Sequence, residues 1–148
     1  MCLYVKKNII TRAEKDITCY KLLIRMNFRG EFRYCTPFRN YPIKLGERVF
    51  ANGYEDIGQR IKVKKTFMYV VGGGFIHTFA SIQGIKSFWK RWLGQYLLDL
   101  SDLDLVVVKC LIPKGAQYYK GTFEWTGLSS YASTELIYGD DIIDPRTL

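Results

Sequence analysis

The chain has 148 residues, 48% of them hydrophobic and 24% charged. That balance excludes a disordered or fibrous protein, and the length is enough for one domain with a real core over residues 1–148. The net charge of +8 is uneven: residues 1–92 carry 18 Lys/Arg against 6 Asp/Glu, and residues 93–148 carry 4 against 8. A basic field of this kind raises encounter rates with any polyanion, so an anionic partner is expected.

The opening "MCLYVKKNII" lacks the long apolar run and small-residue cleavage site of a secretory leader. No stretch reaches the roughly 18 apolar residues that span a bilayer. A cytoplasmic protein without a membrane partner is therefore expected. Cys2, Cys19, Cys35 and Cys110 show neither a CxxC pair nor histidine at zinc-finger spacing, and fit four reduced, mostly buried thiols. A Cys19–Cys35 disulfide between neighbouring strands is the alternative, which a reducing compartment disfavours.

"ITCYKLLI" (17–24) is short, apolar and β-branched at its ends, and "GEFRYC" (30–35) follows it as a second strand. Through "RMNFRGEFRYCTPFRNY" (25–41), Arg25, Arg29, Arg33 and Arg39 interleave with Phe28, Phe32, Tyr34, Phe38 and Tyr41. Guanidinium forks suit phosphates and aromatic faces suit bases, so this stretch fits a nucleotide or nucleic-acid surface. Strands with arginines outward and rings inward produce the same text. Pro37 and Pro42 mark an irregular passage, and Asn52-Gly53 a tight turn after a segment near Arg48–Phe50. "RIKVKKTFMYVV" (60–71) reads as one long strand or two, with Arg60, Lys62 and Lys64 on one face.

"GGGFIHTFAS" (72–81) holds the only histidine, His77, before the best helix. Ser81 is placed to cap that helix. Ile82, Ile85, Phe88/Trp89, Trp92/Leu93 and Tyr96/Leu97 recur at helical spacing. Gly84 and Gly94 weaken it by roughly 1 kcal/mol each against alanine, so its rings must pack on something. "LSDLDL" (100–105) is an acidic loop, and "LVVVKCLI" (105–112) has the continuous apolar character of a central strand covered on both faces. "AQYYKGTFEW" (116–125) and "YASTELIYG" (131–139) read as two more strands, and 140–148 as a frayed tail. Together these define an α+β fold: a curved, mainly antiparallel sheet with one principal amphipathic helix packed on it.

Several chemistries have no residues to carry them. There is no phosphate loop of the GxxxxGK[ST] kind, no dinucleotide fingerprint and no multi-histidine metal site. Asp140-Asp141 are adjacent and face opposite sides of a strand, a poor acid–base pair. A cysteine nucleophile needs a low-pKa setting that no local pattern provides. His77 reads either as a site residue or as a turn residue bonded to nearby backbone.

The blocks "CYKLL" (19–23), "GGGFIHTFAS", "VVKCLIPKGAQYYKG" (107–121) and "SYASTELI" (130–137) resemble those of small uncharacterised proteins of gut Bacteroidetes and their phages. That resemblance implies a microbial or viral origin, with the host cytoplasm as location. The segment "CLIPKGAQYYKG…YASTELI" is also distantly similar to mono-ADP-ribosyltransferases. That likeness implies NAD as co-substrate and Glu135 as the residue that would stabilise an oxocarbenium-like ribose. Tyr20 or His77 would then hold the nicotinamide side, and Lys21 would stand near the family's first-strand arginine. Lysine lacks the bidentate fork of arginine, and Ser133 stands where many such enzymes carry an acid or amide. The residues thus favour a small non-enzymatic binding protein without cofactor or metal, its partner a nucleotide, a nucleic acid or an acidic protein surface. Arg25, Arg29, Arg33, Arg39, Lys62 and Lys64 would be its contacts, and the phage resemblance implies an accessory or counter-defence role. The alternative is a divergent ADP-ribosyltransferase-like enzyme.

Overall fold

The computed structural model describes residues 3–37, 41–51, 60–63, 65–72, 74–92 and 104–148. Thirteen strands among them join one sheet. In chain order they are β1 (Leu3–Val5), β2 (Thr11–Arg12), β3 (Ile17–Phe28), β4 (Glu31–Cys35), β5 (Pro42–Ile43), β6 (Arg48–Phe50), β7 (Arg60–Val63), β8 (Thr66–Val71), β9 (Ile76–Phe79), β10 (Leu105–Ile112), β11 (Gln117–Phe123), β12 (Leu128–Ser133) and β13 (Glu135–Ile143). The order across the sheet is β6-β13-β10-β3-β9-β12-β11-β1-β8-β7, with β4 and β5 branching from β3 and β2 lying on β11. The described pairs are antiparallel, and the path is open, from β6 to β7.

β10 is the central strand its apolar run implies. It pairs with β3 from Leu105↔Ile24 to Ile112↔Ile17 and with β13 on its other edge. Alternation sends Val106, Val108, Cys110 and Ile112 to one face, where they pack with Cys19, Leu23, Leu136 and Tyr138. Leu105 and Val107 go to the other, with Leu22, Phe79, Ile85, Phe88 and Phe123. A third cluster gathers Leu3, Val5, Val71, Phe75, Tyr119 and Ala132.

The helix α1 (Ile82–Ser87) passes into a π-helical turn over Phe88–Trp92. Leu93, Tyr96 and Leu97 lie outside the described residues. Ser81 caps it as expected, its Oγ accepting from the Gly84 N–H at 3.0 Å. Phe88 meets Phe79 and Phe123 with ring centroids 5.1 and 5.4 Å apart.

Two open readings are resolved, those of 60–71 and of Cys19 and Cys35, and two expectations change, those of 131–139 and of the tail. The segment 60–71 forms two strands. The strand expected over 131–139 breaks at Thr134, because the chain changes neighbours there: β12 lies on β9 and β11, and β13 on β10 and β6. Residues 140–143 extend β13, and Asp144 caps a 3₁₀ turn over Pro145–Thr147 instead of a frayed tail. Ile143 and Leu148 bury apolar surface against the second cluster, which holds that end down. Cys19 and Cys35 are free thiols: Cys35 sits opposite Ile24, five residues along β3 from Cys19, and Cys19 faces Cys110. Cys2 and the Asn52-Gly53 turn lie outside the described residues.

β13 carries a bulge: its register to β10 shifts between Cys110↔Tyr138 and Val108↔Ile142. Gly139 occupies it, and a Cβ there would overlap the Lys109 carbonyl. Because backbone cannot move aside cheaply, Gly139→Ala is expected to lower stability by about 2–3 kcal/mol in urea unfolding. An unchanged midpoint would mean that the bulge adapts freely.

Candidate functional site

β3 is twelve residues long, longer than either partner on its second edge. Its pairing with β10 ends at Ile24. Beyond that point β3 pairs with β4 from Ile24↔Cys35 to Phe28↔Glu31, and past Tyr34, where β5 leaves β4, the two form a two-stranded ribbon among the described residues. Arg29 and Gly30 form the turn, both at positive φ (53° and 83°), as a two-residue type I′ hairpin requires. The Asn27 side chain accepts from the Gly30 N–H at 3.0 Å. Glycine and asparagine suit such positions; arginine at positive φ costs about 1 kcal/mol.

The ribbon decides between the two interpretations of its arginines and rings. Phe28 and Phe32 are about half exposed (48% and 53%), so the rings do not point into a core. Each carries a guanidinium: Arg33 lies 4.4 Å and Arg29 5.5 Å from the Phe28 centroid, and Arg25 lies 4.8 Å from that of Phe32. Arg29 and Arg33 form no ion pair with any described residue. Arg25 differs, its Nε donating to Asp104 at 2.8 Å, and this carboxylate holds its pKa above the ordinary value. Tyr34 faces inward, against the first core cluster. Lys62 is exposed on β7, at the far end of the strand path, and so does not extend the ribbon. Arg39 and Lys64 lie outside the described residues.

At the ribbon's root the sheet divides. One edge of β3 pairs with β9 only at Tyr20↔Phe79, and the same edge takes up β4 only at Ile24. The Arg25 N–H bonds toward β10 and the Ala80 N–H toward β12. Alternation then directs the N–H of Leu22 and the carbonyl of His77 into the opening between β9 and β4. Had the ladder continued, those two groups would have bonded to each other. Instead the Lys21 ammonium donates to the His77 carbonyl at 2.6 Å.

The opening is a cavity of about 320 Å³, within the size range of small-molecule sites. Tyr20, Leu22, Phe79 and Phe88 bound it from the helix side, and Lys21, Ile43, Val49, Ile76 and Tyr138 from the other. His77, Thr36 and Phe50 also line it. The His77 ring is buried, with Nε2 2.9 Å from the Gly72 carbonyl; the local backbone bond is as expected, but His77 stands in strand β9 opposite Ala132 and not in a turn. Tyr20, Lys21 and His77 therefore share one cavity. Glu135 does not line it. It sits opposite Phe50 in the β13–β6 register, and its carboxylate is held by Arg48.

Burial lowers Lys21 to a pKa of about 8. Burial also pushes the thiols of Cys19 and Cys110 up, to about 11 and about 12, and the Tyr138 phenol well above its usual range. These thiols are protonated at neutral pH and are not activated nucleophiles. Among the described residues no group of three His, Cys, Asp or Glu is placed to hold a metal ion, and no helix is long and apolar enough to cross a membrane. No known protein family, curated protein or solved structure matches the chain.

The cavity was missed in the sequence because a split sheet has no local signature. Lys21 alone offered a hint, as a lysine inside an apolar strand. Its pKa predicts a pH effect. Unfolded, Lys21 titrates near 10.5; folded, near 8. Between those values the unfolded chain holds a proton that the folded one has released, so this group's contribution rises with pH. The stability of wild type minus that of Lys21→Met is expected to grow by roughly 3 kcal/mol from pH 8 to 10.5 in urea titrations. A flat difference would show that Lys21 is not desolvated.

Proposed function

We propose that the chain is a binding protein for single-stranded nucleic acid, with the β3–β4 ribbon as its contact surface. The observation that carries this is the stacking of three guanidinium groups on two half-exposed phenyl rings of the ribbon. An aromatic face stacks on any base, and an arginine beside it reaches the adjoining phosphate. A purely electrostatic surface for an acidic protein would not need the rings. The basic first part of the chain steers the polyanion, and Arg29 and Arg33 make the contacts. Arg25 shares its charge with Asp104 and chiefly orders the ribbon's root. In a phage-borne protein this surface would serve a counter-defence role by sequestering single strands.

Fluorescence anisotropy with labelled single-stranded RNA and DNA, matched duplex and heparin tests this. Single strands are expected to bind with a log–log salt slope of about −1.4, two phosphate contacts at about 0.7 each. Phe28→Ala should cost roughly 1–3 kcal/mol of binding, and Arg29→Glu with Arg33→Glu should abolish it. Arg29→Asn, which relieves the positive-φ strain, should raise Tm while weakening binding. Heparin binding as tightly as the oligonucleotides, with Phe28→Ala unaffected, would sink the base-stacking proposal in favour of an acidic protein partner.

NAD-dependent ADP-ribosyl transfer is a second proposal, favoured by one observation: Tyr20, Lys21 and His77 line one cavity. It requires the Glu135 carboxylate to leave Arg48 and reach that cavity. If it holds, the protein releases nicotinamide from NAD and Glu135→Gln loses at least about 100-fold in rate. No nicotinamide release by the wild type would dispose of it.

A further inference from the structure

We propose that the cavity where β9 and β4 part from β3 is a binding site for a small monocarboxylate with a flat apolar body, its carboxylate seated on the Lys21 ammonium and the Leu22 N–H. The proposal is independent of the ribbon.

Lys21 is 8% exposed, and among the described residues its ammonium donates to one neutral carbonyl, that of His77. The other two donors of the ammonium have no partner among the described residues, and no described carboxylate pairs with it. A buried charge left without a counter-charge is costly, and capping one carbonyl does not offset that cost. An anion in the cavity would. The Leu22 N–H points into the same opening, since neither β9 nor β4 pairs with that residue. One cation and one backbone donor on successive residues match the two oxygens of a carboxylate. A phosphate dianion would bring a second charge that nothing among the lining residues balances.

The walls specify the remainder of the ligand. Tyr20, Phe75, Phe79, Phe88 and Tyr138 are rings, and Ile43, Ile76 and Val49 are aliphatic. Such a surface favours a flat apolar body. Thr36 supplies one further hydroxyl at the lining.

The test is a thermal-shift titration of the full chain at pH 7. The probes are benzoate, 1-naphthoate and octanoate, each set against its neutral amide, with phenyl phosphate alongside. A carboxylate is expected to raise Tm saturably, with affinity at least about tenfold above its amide. 1-Naphthoate should exceed octanoate. Lys21→Met, close in volume, should lose the shift, and the Arg29→Glu/Arg33→Glu variant should keep it. The second readout is the Lys21 ammonium resonance of the wild type, whose titration midpoint should move upward from about 8 when the carboxylate is bound. That readout stands even if Lys21→Met does not fold. Amides as effective as acids, a shift retained in Lys21→Met, phenyl phosphate binding more tightly than the carboxylates, an unmoved Lys21 resonance, or no shift up to about 10 mM of any carboxylate would each overturn the proposal.

Discussion

One edge of β3 cannot hydrogen-bond to two strands at one place. β9 occupies that edge at Tyr20 and β4 occupies it from Ile24 onward. Between them a short stretch of edge is left over, and its polar groups must be satisfied some other way. The Lys21 ammonium resolves half of this by bonding to the His77 carbonyl. The exchange of a backbone donor for a side-chain donor lets β9 swing away from β3. Both features of functional interest follow: a cavity in the gap, and a ribbon free to project past the end of β10.

The surrounding core makes that divergence tolerable. On the helix side, Phe79, Phe88 and Phe123 form a ring cluster, with Phe123 edge-on to both others and Phe79 tilted against Phe88, that ties β9, the helix end and β11 together, so β9 is held although it contributes only one paired residue to β3. On the other side, the bulge at Gly139 sets Tyr138 opposite Cys110 and against the cavity. The carboxylate of Asp104 and its backbone carbonyl both receive Arg25. That contact joins the acidic second part of the chain to the basic first part at the root of the ribbon. The charge asymmetry of the sequence is thus also a docking contact within the fold.

Elements specified by local chemistry were legible. The continuous apolar run of β10, the Ser81 cap and the strands at β3, β4 and β11 were all readable, because period, capping and turn residues act within a few positions. The ribbon's residues were legible, but not which way they faced: alternation reads the same whether the rings meet a core or solvent, and only the end of β10 at Ile24 decides it. β1 and β2 escaped notice because two- and three-residue strands are created by their neighbours. The division of the sheet was invisible for the same reason, being a competition between partners distant in sequence. The break at Thr134 had no signal either, since Thr134 suits a strand interior as well as a corner.

The two sites share a property. In several described elements local preference and tertiary environment agree: β-branched residues fill β10, glycine takes the bulge, serine the cap. They disagree at Arg29, which holds a backbone conformation suited to glycine or asparagine, and at Lys21, which buries a charge against a neutral acceptor. Each could be relieved by a single substitution, asparagine at the first and a long apolar side chain at the second. Stability alone favours those substitutions. Under the two proposals, the guanidinium at the ribbon's tip and the ammonium in the cavity offset these costs when their ligands are bound.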